Sequence, residues 1–132
     1  MASHVHTRVL VADDAPQVSR RLTELLSEIE GVHVVGRARD GDEALALFRQ
    51  LAPDLAVLAL GMPRQSGLEV LREIRQTGLI CHVIIVTNHT ELALRERCLA
   101  EGADGFVHKT TELDALLALV RAHAHRTLGP RG

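Results

Sequence analysis

Short apolar runs alternate with longer amphipathic stretches five times along the chain. The runs are Val9–Ala12, Val32–Val35, Leu55–Leu60, Val83–Val86 and Gly105–Val107. The third and fourth are unbroken and rich in Val, Ile and Leu, which predicts strands buried on both faces, as in a parallel sheet. The stretches between them carry helical spacing. Val18, Leu22, Leu25, Leu26 and Ile29 make one stripe; Leu113, Leu116, Leu117 and Val120 make another at i, i+3, i+4, i+7. The fourth stretch, Glu91–Glu101, has the weakest stripe, with three Leu on different faces.

Punctuation supports the same division. Asp14-Ala-Pro-Gln17, Asp40-Gly-Asp-Glu43, Ser66-Gly-Leu-Glu69, Asn88-His-Thr-Glu91 and Thr111-Glu-Leu-Asp114 each set a cap-type residue three before an acid or amide. Pro16 suits a first helical turn. Gly31, Gly78 and Gly102 stand where helices should stop. Five βα units in series imply right-handed crossovers and a doubly wound α/β fold. Such sheets bind ligands at the carboxyl ends of their strands.

Composition narrows the picture. A chain of 132 residues is one domain, expected to have its core over about 7–123 and a frayed tail over 125–132. With 46% hydrophobic residues but only two Phe, no Tyr and no Trp, the core must be aliphatic. Aromatic poverty also argues against a site that stacks single-stranded nucleic acid. A net charge of −2 gives no global field for DNA or an anionic membrane. No apolar run approaches a membrane span and nothing at the start reads as a signal peptide, so a cytoplasmic protein with reduced thiols is expected.

The strand ends hold the candidate chemistry. Strand one ends in Asp13-Asp14, strand three in Ala59-Leu60-Gly61, strand four in Thr87 and strand five in His108-Lys109. Two carboxylates can hold a hard divalent cation, with waters completing its shell. A hydroxyl and an ammonium opposite can receive phosphoryl oxygens. An Asp-Asp pair alone more often just begins a turn. The pair, the hydroxyl and the Lys in this order are far more specific.

These residues resemble the receiver domain of bacterial two-component response regulators. The resemblance rests on Val9-Leu-Val-Ala-Asp-Asp14, Pro53-Asp-Leu, Gly61-Met-Pro63 through Ser66-Gly67, Val83-Ile-Ile-Val-Thr87 and Gly102-Ala-Asp-Gly-Phe-Val-His-Lys109, and runs from Thr7 to about His123. It implies a flavodoxin-like five-stranded parallel sheet of order 2-1-3-4-5 with five helices. It also implies phosphoryl transfer from a histidine kinase to an aspartate at the end of strand three, with Mg²⁺. By the same resemblance Asp14 is the direct metal ligand, Asp13 acts mainly through water, and the Gly61 carbonyl is a third ligand. Thr87 follows the phosphoryl group, Lys109 pairs with it, and Phe106 occupies the aromatic switch position.

One departure matters. The acceptor position is Ala59, and a methyl group can neither attack phosphorus nor ligate a metal. Asp54, the nearest upstream acid, lies roughly 16 Å away at ~3.3 Å per strand residue and is expected to open strand three. Ser66 and Thr87 are weak acceptors without a base, and the metal role competes for Asp13 and Asp14. Losing a carboxylate should weaken Mg²⁺ binding and relieve like-charge crowding. The chain therefore reads as a receiver module working by protein–protein contact, not an enzyme, with a histidine kinase or phosphotransfer protein and a downstream target as partners. A homodimer is also open, and the target face implied by the resemblance is helix four, strand five and helix five. Two alternatives stand: a non-phosphorylatable variant of a working regulator, and a receiver excised from one with a DNA-binding output. A metal-dependent phosphatase-like enzyme is remote, because Asp13-Asp14 offers adjacent rather than spaced acids and strand three offers none; a nucleotide site is remote because the loop after strand one has no Gly.

The remaining features have plain readings. His4-Val-His6 and His123-Ala-His125 are i, i+2 pairs expected on the surface, the second a poor chelate on a helix. His89 reads as a solvated loop residue or a gate beside Thr87. His108 should point away from Lys109. Asn88 is bulkier than the residue usual after the Thr, and Thr110 replaces a common Pro, so a trans bond is expected there. Arg20-Arg21 and Arg72-Glu-Ile-Arg75 read as exposed helix faces, and Cys81, Cys98 and Phe48 as apolar packing residues.

Overall fold

Strand β1 (Thr7–Ala12) is buried along its length except for Arg8, and four more strands align parallel beside it. These are β2 (Val32–Ala38), β3 (Leu55–Ala59), β4 (His82–Thr87) and β5 (Gly105–His108), in the order β2-β1-β3-β4-β5. The fold is the flavodoxin-like one expected from the sequence. The computed structural model describes residues 6–128, apart from the side chains of 125–128.

The helices are α1 (Pro16–Ser27), α2 (Gly41–Leu51), α3 (Gly67–Thr77), α4 (Leu92–Ala100) and α5 (Leu113–Leu128). Strand periodicity sorts the core into two halves. Leu10, Ala56, Leu58, Val83 and Ile85 face α2, α3 and α4, whose Phe48, Leu71 and Cys98 fill that side. Val9, Val11, Val57, Ile84 and Val86 face α1 and α5, meeting Leu22, Leu26, Leu116 and Val120. Each fully buried Leu or Val contributes about 2 kcal/mol of apolar transfer.

Several boundaries differ from expectation. β2 runs three residues past Val35, because a bulge there lets Leu10 pair with Gly36 after Val9 has paired with Val34. α5 continues to Leu128, four residues into the segment expected to fray; residues 129–132 lie outside the described part. Two of the five expected caps form. Asp40 accepts from the Glu43 N–H, and Ser66 with Glu69 makes a full capping box. Asp14 and Asn88 do not cap: α1 begins from Ala15 and α4 from Glu91, neither with a side-chain cap. Before α5 the turn is organised instead by His108, whose Nδ1 accepts from the N–H groups of Thr110 and Thr111. At the other ends, Gly78 caps α3 in the left-handed region. Gly102 (φ 108°) closes α4, with Gly102 N–H bonding Leu99 and Ala103 N–H bonding Cys98. Gly31 lies beyond the end of α1, where its carbonyl receives the Thr7 N–H.

Candidate functional site

Three sheet ladders continue one residue past their strands and so fix the residues at the carboxyl edge. Asp13 N–H bonds the Ala38 carbonyl at 3.1 Å, Leu60 N–H bonds Val86 at 2.8 Å, and Lys109 N–H bonds Thr87 at 2.9 Å. Main-chain bonding therefore positions Asp13, the β3 exit and Lys109 without help from the loops.

Asp13 is the most enclosed charge of the group, its side chain 0% exposed. One carboxylate oxygen accepts the Ala15 N–H at 2.9 Å, the turn that starts α1. The other accepts from Lys109 Nζ at 2.8 Å, and that lysine side chain is 12% exposed. The pair ties β1 to the end of β5 across 96 positions of sequence. Asp14 points out and is exposed. Thr87 is buried, and its Oγ1 accepts the His89 N–H at 3.0 Å. Phe106 is buried on the α4 side, and its carbonyl accepts from Arg95 at 3.0 Å.

Ala59 is fully buried and its methyl belongs to the core on the α1/α5 side. The start of α3 presses against it. A Cβ on Gly67 would stand 2.3 Å from the Ala59 carbonyl oxygen, so only glycine lets α3 begin there. Likewise a Cβ on Gly41 would meet the Gln65 carbonyl at 2.3 Å, and Gly41 N–H bonds Pro63. The β3–α3 loop is thereby clamped onto α2, while Gly61 within it stays exposed.

The structure brings Asp13 and Lys109 into contact and sets Ala59 and Thr87 at neighbouring strand ends. It puts Asp54 elsewhere, at the opening of β3, where its carboxylate accepts the Arg8 N–H and its carbonyl the His82 N–H. Ser66 is committed to capping α3. His89 is exposed, with Nδ1 3.9 Å from the Glu91 carboxylate. The described peptide bonds are all trans, Lys109–Thr110 included.

One histidine reading changes. His6 is exposed as expected, its ring tilted against that of His33 with centroids 4.1 Å apart, whereas the His123 ring is tilted against that of His82 at 4.2 Å. His123 is thus a packed residue joining α5 to β4 rather than a surface one, because the partner lies on another element where i, i+2 spacing gives no hint. His4 lies outside the described residues, as does the side chain of His125. Arg75 also departs from an exposed face: it donates to the carbonyls of Cys81 and Gly102 and to the Asp104 carboxylate. Arg72 pairs with Glu101, the residue that caps the end of α4, and this with Arg97 holds the Glu101 carboxyl below its usual range. Burial pushes the Cys81 thiol up to about 12.

The donor set does not fit a Mg²⁺ ion well. Both Asp13 oxygens are engaged, leaving the Asp14 carboxylate and the Gly61 carbonyl, and among the described residues no three His, Cys, Asp or Glu side chains are grouped to hold a metal.

Residues 9–121 match the response regulator receiver domain family. The chain belongs to that family. The receiver is 34% identical over 119 residues to the nitrate/nitrite response regulator NarL of Escherichia coli, covering 89% of this chain and 54% of that protein. It is 34% identical over 114 residues to the response regulator GacA of Pseudomonas aeruginosa, covering 86% and 53%. The chain spans about half the length of these relatives. Among solved structures, the Francisella response regulator 1452 receiver domain superposes with a TM-score of 0.84 at 28% identity, covering 92% of this chain and 99% of that one. A DNA-binding response regulator of the LuxR family from Staphylococcus aureus gives 0.83 at 25% identity, covering 89% and 98%. Receiver domains are typically signalling modules of two-component systems; they generally bind Mg²⁺ at their phosphorylation site and interact with histidine kinases and output domains. Among the described residues no helix is long and apolar enough to cross a membrane.

Proposed function

We propose that this receiver works by protein contact and takes no phosphoryl group at the end of β3. The observation that carries this is Ala59: the acceptor position implied by the family resemblance bears a buried methyl, while Thr87 and Lys109 stand at the same carboxyl edge of the sheet. A carbon with no lone pair cannot attack phosphorus. Thr87 and Phe106 keep the switch positions, and Asp14 and the Gly61 carbonyl are the donors left open to a metal, so Mg²⁺ binding is weaker than in a receiver with three carboxylates. The chain is a signalling module of the cytoplasm rather than an enzyme. Its partners are a histidine kinase or phosphotransfer protein and a downstream protein, and it contacts neither nucleic acid nor membrane by itself.

The test is labelling by a small phosphodonor with Mg²⁺, on this chain and on Ala59→Asp. The expected result is no label on the first and label on the second. Label on the chain as it stands requires another acceptor and refutes the proposal. A second reading, a receiver that travels with a DNA-binding output, draws on the solved LuxR-family DNA-binding regulator and on relatives of which the chain covers about half. The length of the natural gene product decides between them.

A further inference from the structure

We infer that Lys109 is the built-in cation of the strand-end site, closing Asp13 to a divalent ion and leaving the receiver without a measurable response to millimolar Mg²⁺. The inference rests on the reading that position 59 supplies no carboxylate. Without one there, the Lys109 ammonium has Asp13 as its anionic partner, and it sits 2.8 Å from that oxygen. Asp13 has no exposed side-chain surface, and its second oxygen is taken by the Ala15 N–H. A magnesium ion keeps several waters in an octahedral shell, so a ligating carboxylate must present an open edge with room beside it. Asp13 presents none. Charge points the same way. Asp13 and Lys109 cancel, so a divalent ion is offered only the single negative charge of exposed Asp14. The buried pair is instead a cross-link between β1 and the β5 exit. The loss at position 59 therefore removes more than one ligand: it also turns a second one over to the lysine.

The inference is tested by comparing the chain with Lys109→Met, Ala59→Asp and the double variant Asp13→Asn/Lys109→Met. Melting midpoints are read in chelator and in millimolar Mg²⁺, and Mn²⁺ is used to broaden amide resonances near Asp13. The chain itself should melt at the same temperature in both and show no broadening confined to Asp13–Ala15. Lys109→Met should melt lower in chelator and rise by about 3 °C or more with Mg²⁺, since a ligand bound only to the folded state raises its midpoint. The double variant, with Asp13 neutralised, should lose that response. A Mg²⁺-dependent rise in the chain itself, or Lys109→Met no more responsive than the double variant, overturns the inference. Where Lys109→Met does not fold, the Mn²⁺ experiment on the chain decides: broadening centred on Asp13 overturns the clamp, and its absence beside clear broadening in Ala59→Asp supports it. A chain that takes phosphoryl label yet ignores Mg²⁺ refutes the contact-only function without touching the clamp, so the two failures are distinguishable.

Discussion

Position 59 is where one side chain decides most. A carboxylate placed there would enter a site that already holds a fully buried Asp13 and its neighbour Asp14, with a single lysine to serve them. Like charges at short range and desolvation both disfavour the ionised form. Ala59→Asp should therefore be less stable than the chain itself in chelator, by about 1–3 kcal/mol, as read from chemical denaturation side by side. Equal or greater stability would sink the idea. Gly67 is the matching steric constraint: Gly67→Ala forces a methyl against the Ala59 carbonyl, and the melting midpoint should drop by several degrees, a loss of about 2 kcal/mol or more. Cys81 supplies a pH signature. Its thiol is neutral until about 12 in the folded state, against 9.0 ordinarily, so folded and unfolded chains bind the same proton below about pH 9. Above that the unfolded thiol ionises first, and stability should fall as pH rises from 9 toward 12. Cys81→Ala should flatten that part of the stability–pH curve, whatever it does to stability at neutral pH.

At the scale of elements, the helices differ in how they are begun, and this decides what sequence can reveal. α3 carries a reciprocal cap, so Ser66→Ala should cost about 1 kcal/mol. That loss is checked by urea unfolding, with Thr111→Ala, whose expected cap does not form as such, as the near-neutral comparison. Such motifs can be proposed because donor and acceptor lie three residues apart, although of the five candidates only those at Asp40 and Ser66 form. The strands are readable too, since their apolar runs need no partner to be recognised. What stays hidden depends on distant partners. α1 starts without a side-chain cap because Asp13, held by Lys109, receives the Ala15 N–H in place of an Asp14 cap. The β2 bulge arises where Gly36 lets Leu51 close in, its Cβ site lying 2.9 Å from that leucine. The strand-end residues Asp13, Asp14, Thr87 and Lys109 are legible because the topology alone sends them to one edge. That Asp13 and Lys109 bond to each other, rather than waiting for a ligand, is a matter of side-chain reach and burial that no spacing encodes.

On the scale of the whole molecule, stability is unevenly spread. The sheet is sealed by two apolar layers, and β3 is buried at every residue. α4 is the exception: Cys98 is its only fully buried side chain, and Leu92 is left 66% exposed. Polar ties hold it in place of packing. Arg95 donates to the Phe106 carbonyl, and Arg72 grips Glu101 while Arg75 braces the turn at Gly102. Such contacts are weaker than buried apolar area and are broken without unfolding the sheet. Amide exchange should therefore proceed through α4 by local opening, ~10²-fold or more faster than through β1 and β3, which open only with the global fold. Arg72→Met should accelerate exchange in α4 further while leaving β1 and β3 near their original rates. Protection in α4 equal to that in β3 would contradict this account. The consequence reaches the site, because the segment leading into α4 carries the His89 N–H that holds Thr87 Oγ1. A helix that detaches easily at one flank, beside an edge locked at the other by Asp13 and Lys109, leaves the α4 side as the part of this receiver free to change shape when a partner binds.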